Sequence, residues 1–144
     1  MKKPKQPPAY CICATVDVFN IQVMLLVGDF EECCKLVEEN RAPEYNGPKI
    51  SDELWLVKES TDEDRKTRNG YMAFTAHVGP SVIIYAPKPI TLSTLVHEIS
   101  HAVQFILHIT GCDDDELRAY LCGYLFTELA VKDDGMITAS KGKE

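Results

Sequence analysis

The order of segments along this chain predicts an α+β fold, a mostly antiparallel sheet packed on helices, in one domain over residues 1–144 with flexible ends at 1–9 and 135–144. Three observations carry that expectation. Residues 10–27 and 70–86 each hold two strand-like stretches separated by turn residues. Residues 30–40 space their apolar side chains as a helix does. Residues 91–130 hold two further helical patterns interrupted at Gly111. With 144 residues, 45% hydrophobic and 26% charged, the chain suits a single globular core and is too short for a separate substrate domain.

Taken in order, a strand is expected from about Tyr10 to Val18, a turn at Phe19 and Asn20, and a second strand from Ile21 to Val27, together a hairpin. Asp29 should cap a helix running to about Asn40, with Phe30, Cys33, Cys34 and Val37 facing inward and Pro43 and Gly47 closing it. From Lys58 to Arg68 the basic residues are interleaved with Glu59, Asp62, Glu63 and Asp64, which reads as a solvated loop. Strands follow at Gly70 to Val78 and Ser81 to Ala86, joined at Gly79 and Pro80. Pro87 and Pro89 then lead into a helix that begins near Thr91 and stops at Gly111, and the Asp113 to Asp115 run opens a second helix reaching about residue 130.

The first of these two helices carries the chemistry, as His97-Glu98-Ile99-Ser100-His101. Residues four apart lie one turn apart on the same helix face, so both imidazoles can close on one ion while Glu98 leans beside it. Chance alone would place HExxH in roughly one chain of this length in several hundred. At about 100° per residue from His97, His101, Gln104 and His108 fall at about 40°, −20° and 20°, a narrow polar stripe. Leu92, Leu95, Val96, Ile99, Ala102, Val103, Phe105, Ile106, Leu107 and Ile109 occupy the rest of the cylinder, so the helix is expected to be buried and the stripe to need a satisfying partner. A zinc ion meets that need; histidines bonded to backbone or carboxylate partners are the structural alternative.

His108 lies about 10 Å further along the axis than His97, too far for the same ion, and suits the last carbonyls of the helix. His77 sits in a strand with no motif around it. A catalytic zinc takes three protein ligands and leaves one position open. A short connection makes the two helices antiparallel, which brings Glu116 back toward the first one as the favoured third ligand. Asp115 is the next choice, with Asp113, Asp114 or a cysteine behind it. Asp113 followed by Glu116 is also a capping-box pattern, so a purely structural role for Glu116 stays open. Tyr120 and Tyr124 are candidate hydrogen-bond donors to a developing oxyanion, or amphipathic packing residues.

HExxH followed closely by an acidic residue that opens a second helix resembles the gluzincin-type zincin metallopeptidases, the small ImmA/IrrE-like peptidases in particular. That resemblance implies His97, His101 and Glu116 as zinc ligands, Glu98 as general base, a minimal zincin-like domain, and a cleft bordered by the strand before the motif helix. Ser81 to Ala86 would then pair with substrate backbone by strand addition. One departure stands out: where the family's second motif reads Glu, Ala, Asn, aromatic, Ala, this chain has Glu116, Leu117, Arg118, Ala119, Tyr120. The Asp115 to Leu125 segment is also similar to small phage-encoded proteins, and the resemblance as a whole covers roughly residues 70 to 130. The activity implied is a zinc-dependent metallopeptidase acting on a specific protein or peptide. The alternative is a non-catalytic, zinc-stabilised interaction protein of phage type.

A net charge of −7 without a Lys and Arg cluster argues against nucleic acid as a partner. MKKPKQPPAY lacks an apolar signal core and no apolar run approaches a membrane span, so a cytoplasmic setting, in a bacterial or phage-infected cell, is expected. The six cysteines fit that setting as mostly buried thiols. A second zinc site from Cys11, Cys13, Cys33 and Cys34 is disfavoured, because adjacent cysteines on a helix point apart and the usual two-residue spacer is missing.

Overall fold

The hairpin that opens the chain forms as its alternation requires. A computed structural model describes residues 9–40, 47, 49–65, 73–79, 81–87 and 90–131. Strands β1 (Tyr10–Val16) and β2 (Ile21–Val27) pair antiparallel, from Tyr10 opposite Val27 to Val16 opposite Ile21. Their connection is a short 3-10 turn, Asp17–Phe19, closed by Asn20 at φ 53°. Strand β1 therefore ends two residues earlier than Val18, which is left 87% exposed. Gly28 then turns the chain at φ 129°, where a Cβ would lie 2.8 Å from Ala9, so only glycine fits the close approach.

Helix α1 (Phe30–Asn40) starts where expected: Asp29 Oδ2 accepts from the Glu32 amide at 3.2 Å, and Phe30, Cys33, Cys34 and Val37 are buried. Helix α2 (Ile50–Arg65) corrects the expected loop, which falls mostly inside it. Its anchors are few, Ile50 and Leu54 one turn apart and both buried, with Trp55 packed edge-on to Phe30 at 4.6 Å and the Lys58 ammonium 5.5 Å from the same ring. Residues 66–68 lie outside the described residues.

Strands β3 (Phe74–Val78) and β4 (Ser81–Ala86) pair antiparallel. The expected strand start at Gly70 lies outside the described residues. Strand β4 also pairs parallel with β2, so the sheet order is β1-β2-β4-β3, antiparallel in two of its three pairings. Strand β4 is central, and all six of its side chains are buried, as a strand covered on both faces requires. Both of its hydrogen-bonding edges are occupied, which overturns the expectation that Ser81 to Ala86 could receive a substrate backbone. The outer strand on that side is β3.

Helix α3 (Leu92–Thr110) is capped by Thr91, whose side chain accepts from the Thr94 amide, and stopped by Gly111 at φ 71°. Helix α4 (Asp115–Val131) is capped by Asp114, not Asp113: Asp114 Oδ1 accepts from the amides of Glu116 at 2.8 Å and Leu117 at 3.0 Å. The two helix pairs lie on opposite faces of the sheet. One core joins Val23, Leu25, Val82 and Ile84 to Leu95, Ile99, Ile106, Leu121 and Leu125 of α3 and α4. The other joins Met24, Leu26, Ile83 and Tyr85 to Phe30, Cys33, Val37, Ile50 and Leu54 of α1 and α2. Period-2 alternation lets each strand supply both cores.

Candidate metal and hydrolytic site

Helix α3 is buried along one side only. Leu95, Glu98, Ile99, Ala102, Val103, Ile106 and Leu107 are covered, while His97, His101, Gln104 and His108 face outward together with Val96 and Ile109. The polar stripe is thus solvent-facing rather than interior. The sequence cannot show which sector of an almost wholly apolar helix meets the sheet.

On that open side the motif's two imidazoles converge. His97 Nε2 and His101 Nε2 are 3.3 Å apart, with the rings nearly perpendicular and their centroids 4.9 Å apart. The helix enforces this, since residues four apart stand above one another. Two metal–nitrogen bonds of about 2.0–2.1 Å at a tetrahedral angle would separate the nitrogens by about 3.3–3.4 Å, so the separation of the pair matches that of two zinc-bound imidazoles.

Glu98 behaves differently. One position along the helix, it turns toward the sheet and is 1% exposed. There the Thr75 hydroxyl of β3 donates to Glu98 Oε1 at 2.7 Å, with the Glu98 carbonyl oxygen 3.1 Å away. A buried carboxyl requires such a partner. Thr75 escaped the sequence reading because its tie to Glu98 spans 23 positions. The available signal was alternation: Phe74, Ala76 and Val78 fill the core beneath α1 and α2, which leaves Thr75 and His77 on the α3 face of the strand. His77 Nε2 lies 2.9 Å from the Gly79 carbonyl oxygen, and its ring centroid is 6.1 Å from that of Phe105.

Beside the imidazoles, a cavity of about 310 Å³ is lined by His101, Gln104, Phe105 and His108. Tyr120 and Tyr124 line a different one, of about 250 Å³, with Leu117, Leu121 and the turn residues Val16 to Phe19. The two rings stack with planes 9° apart, and Tyr124 donates its hydroxyl to the Thr15 carbonyl at 2.6 Å. The structure therefore does not bring Tyr120 to the imidazole pair. Glu116 and Asp115 stand exposed in the first turn of α4. Neither is gathered with the histidines: among the described residues no three His, Cys, Asp or Glu side chains are grouped to hold a metal ion. The same finding covers Cys11, Cys13, Cys33 and Cys34 as a zinc cluster. No helix among the described residues is long and apolar enough to cross a membrane.

Compared with protein-family models, curated proteins and solved structures, the chain shows no significant match.

Proposed function

We propose that this protein is a zinc-dependent hydrolase, a metallopeptidase acting on a specific protein or peptide. The observation that carries the reading is the 3.3 Å separation of His97 Nε2 and His101 Nε2 on an open helix face, with Glu98 next to His97 in the sequence of the motif. His97 and His101 would hold the ion, with Glu116 brought in from α4 as third donor. Bound there, zinc would polarise a scissile carbonyl and make water acidic enough to attack at neutral pH. Glu98 is the proposed base: Thr75 holds its carboxyl at Oε1 on the sheet side, and a turn of that side chain toward the imidazoles would let it take the water proton and deliver it to the leaving nitrogen. Thr75 orients that carboxylate. Strand β3 presents the outer edge beside Glu98, so an extended peptide adding to β3 would run past the base, and the cavity at Gln104, Phe105 and His108 would receive one of its side chains.

A second reading, a zinc-stabilised interaction protein without catalysis, is favoured by the separation of Glu116 from the two histidines. One experiment distinguishes them. The chain loaded with zinc is assayed on a peptide library beside Glu98→Gln and His97→Ala/His101→Ala. The enzyme reading expects Glu98→Gln to retain zinc and lose roughly 10²–10⁴-fold in turnover, and the double variant to lose zinc uptake. Zinc uptake without cleavage by the unaltered chain would establish the second reading instead.

A further inference from the structure

On the opposite face of the sheet the chain assembles a second set of ligand atoms, all of them sulfur. Cys11 and Cys13 stand two residues apart on β1 and so project to the same side, toward α1. Their sulfurs are 3.8 Å apart. Directly across the hairpin from Cys13 is Met24, fully buried and part of the same core. Cys33 of α1 is also fully buried in that core.

Two ordinary explanations of a close thiol pair fit poorly. A disulfide between positions two apart on an extended strand would span about 6.6–6.8 Å between Cα atoms, at the far limit of relaxed geometry. Zinc would need three or four donors that are not grouped here.

We propose that Cys11 and Cys13 form a two-thiolate site for a soft monovalent d10 cation, Cu(I) being the representative ion. Thiolate and thioether donors select Cu(I) over harder ions. Taking a metal–thiolate bond of about 2.3 Å, two sulfurs on one ion lie about 4.0 Å apart at 120° and about 4.6 Å apart when collinear, so the present 3.8 Å is close to a bent arrangement. Binding balances without redox chemistry: two S–H bonds release their protons to solvent, two S–Cu bonds form, and copper remains monovalent throughout. The site goes beyond the hydrolase reading and stands independently of it, since it shares no residue with the imidazole pair.

The test is anaerobic titration of the reduced full chain with Cu(I) against a chromophoric Cu(I) chelator, together with copper X-ray absorption on the unaltered chain. One Cu(I) per chain with only sulfur neighbours is expected. Cys11→Ser and Cys13→Ser should each weaken binding by roughly a hundredfold or more, whereas Cys112→Ser/Cys122→Ser and His97→Ala/His101→Ala should leave it unchanged. Nitrogen neighbours around copper, or a Cys11→Ser/Cys13→Ser double variant that binds as tightly as the unaltered chain, would overturn the proposal. The absorption measurement decides the matter even if a serine variant folds poorly.

Discussion

The two faces of the sheet are covered by the same kind of apolar packing yet carry different donors. Beneath α1 and α2 lie the sulfurs of Cys11, Cys13, Cys33 and Met24 and an aromatic cluster in which Phe30 meets Trp55, Phe74 and Tyr85 at 4.6, 6.2 and 5.1 Å. Toward α3 and α4 lie imidazoles and oxygens, with His97 and His101 outside the helix and Glu98 and Thr75 inside it. One strand often serves both: β1 sends Ile12, Ala14 and Val16 to the second face and Cys11 and Cys13 to the first. The lesson concerns access. On the α3 face the two imidazoles are displayed to solvent while the carboxyl next to them in sequence is buried, so neighbouring positions of one helix stand in opposite environments.

If both faces depend on one shared sheet, damage to either should unfold both, and that is the comparison's most forceful test. Leu54→Ala removes a fully buried side chain from the α2 side and Leu121→Ala one from the α4 side. Each should cost about 2–5 kcal/mol, through lost burial and the cavity left behind. Urea unfolding followed by Trp55 fluorescence and by far-ultraviolet circular dichroism should give coincident, cooperative transitions in both variants. Transitions that separate in Leu121→Ala, with Trp55 unaffected, would show that the faces are independent.

How much of this arrangement the sequence could disclose depends on the range of the interaction that decides it. The bounds of α1 and α3 were legible because their caps are local: Asp29, Thr91 and Gly111 act within a turn of themselves. The imidazole pairing was legible for the same reason, being a property of helix geometry at positions 97 and 101. Helix α2 was not, since among the described residues its buried side is marked by little more than Ile50, Leu54 and the partly buried Val57, and the charges from Lys58 onward obscure the period. The central position of β4 comes from its parallel pairing with β2, which no local pattern announces. Whether Glu116 joins the histidines is not legible locally, because a helix connection fixes that α4 returns along α3, not which of its faces turns toward them. Why Asp114 rather than Asp113 caps α4 has a direct cause, as its carboxylate reaches two amides at once.

A finer test addresses the pairing of Thr75 with Glu98, the contact that binds β3 to the motif helix. Thr75→Val keeps the shape and removes the hydroxyl, leaving a carboxyl that is 1% exposed without its donor. Loss of about 1–3 kcal/mol in stability is expected. Zinc uptake should be unchanged, because neither nitrogen is touched, and turnover should fall by less than in Glu98→Gln. Unaltered stability in Thr75→Val would mean that Glu98 finds another partner, and the proposed role of Thr75 in holding that carboxyl would be lost.

The smallest expected effect lies on the sulfur side. Burial pushes the Cys34 thiol up to about 11 from its ordinary value near 9, with Glu38, Glu31, Asp29 and Asp52 adding repulsion toward the thiolate. Because the folded chain holds this proton more tightly than the unfolded chain does, the contribution is fully present below about pH 9 and is lost as pH climbs through about 11. Three of those four carboxylates are exposed and screened by solvent, which keeps the effect modest. Urea midpoints measured across this alkaline window should fall more steeply for the unaltered chain than for Cys34→Ala, in which the group is absent. Parallel curves would show that the thiolate is tolerated where it stands, and the α1 face would then be less hostile to charge than its apolar lining implies.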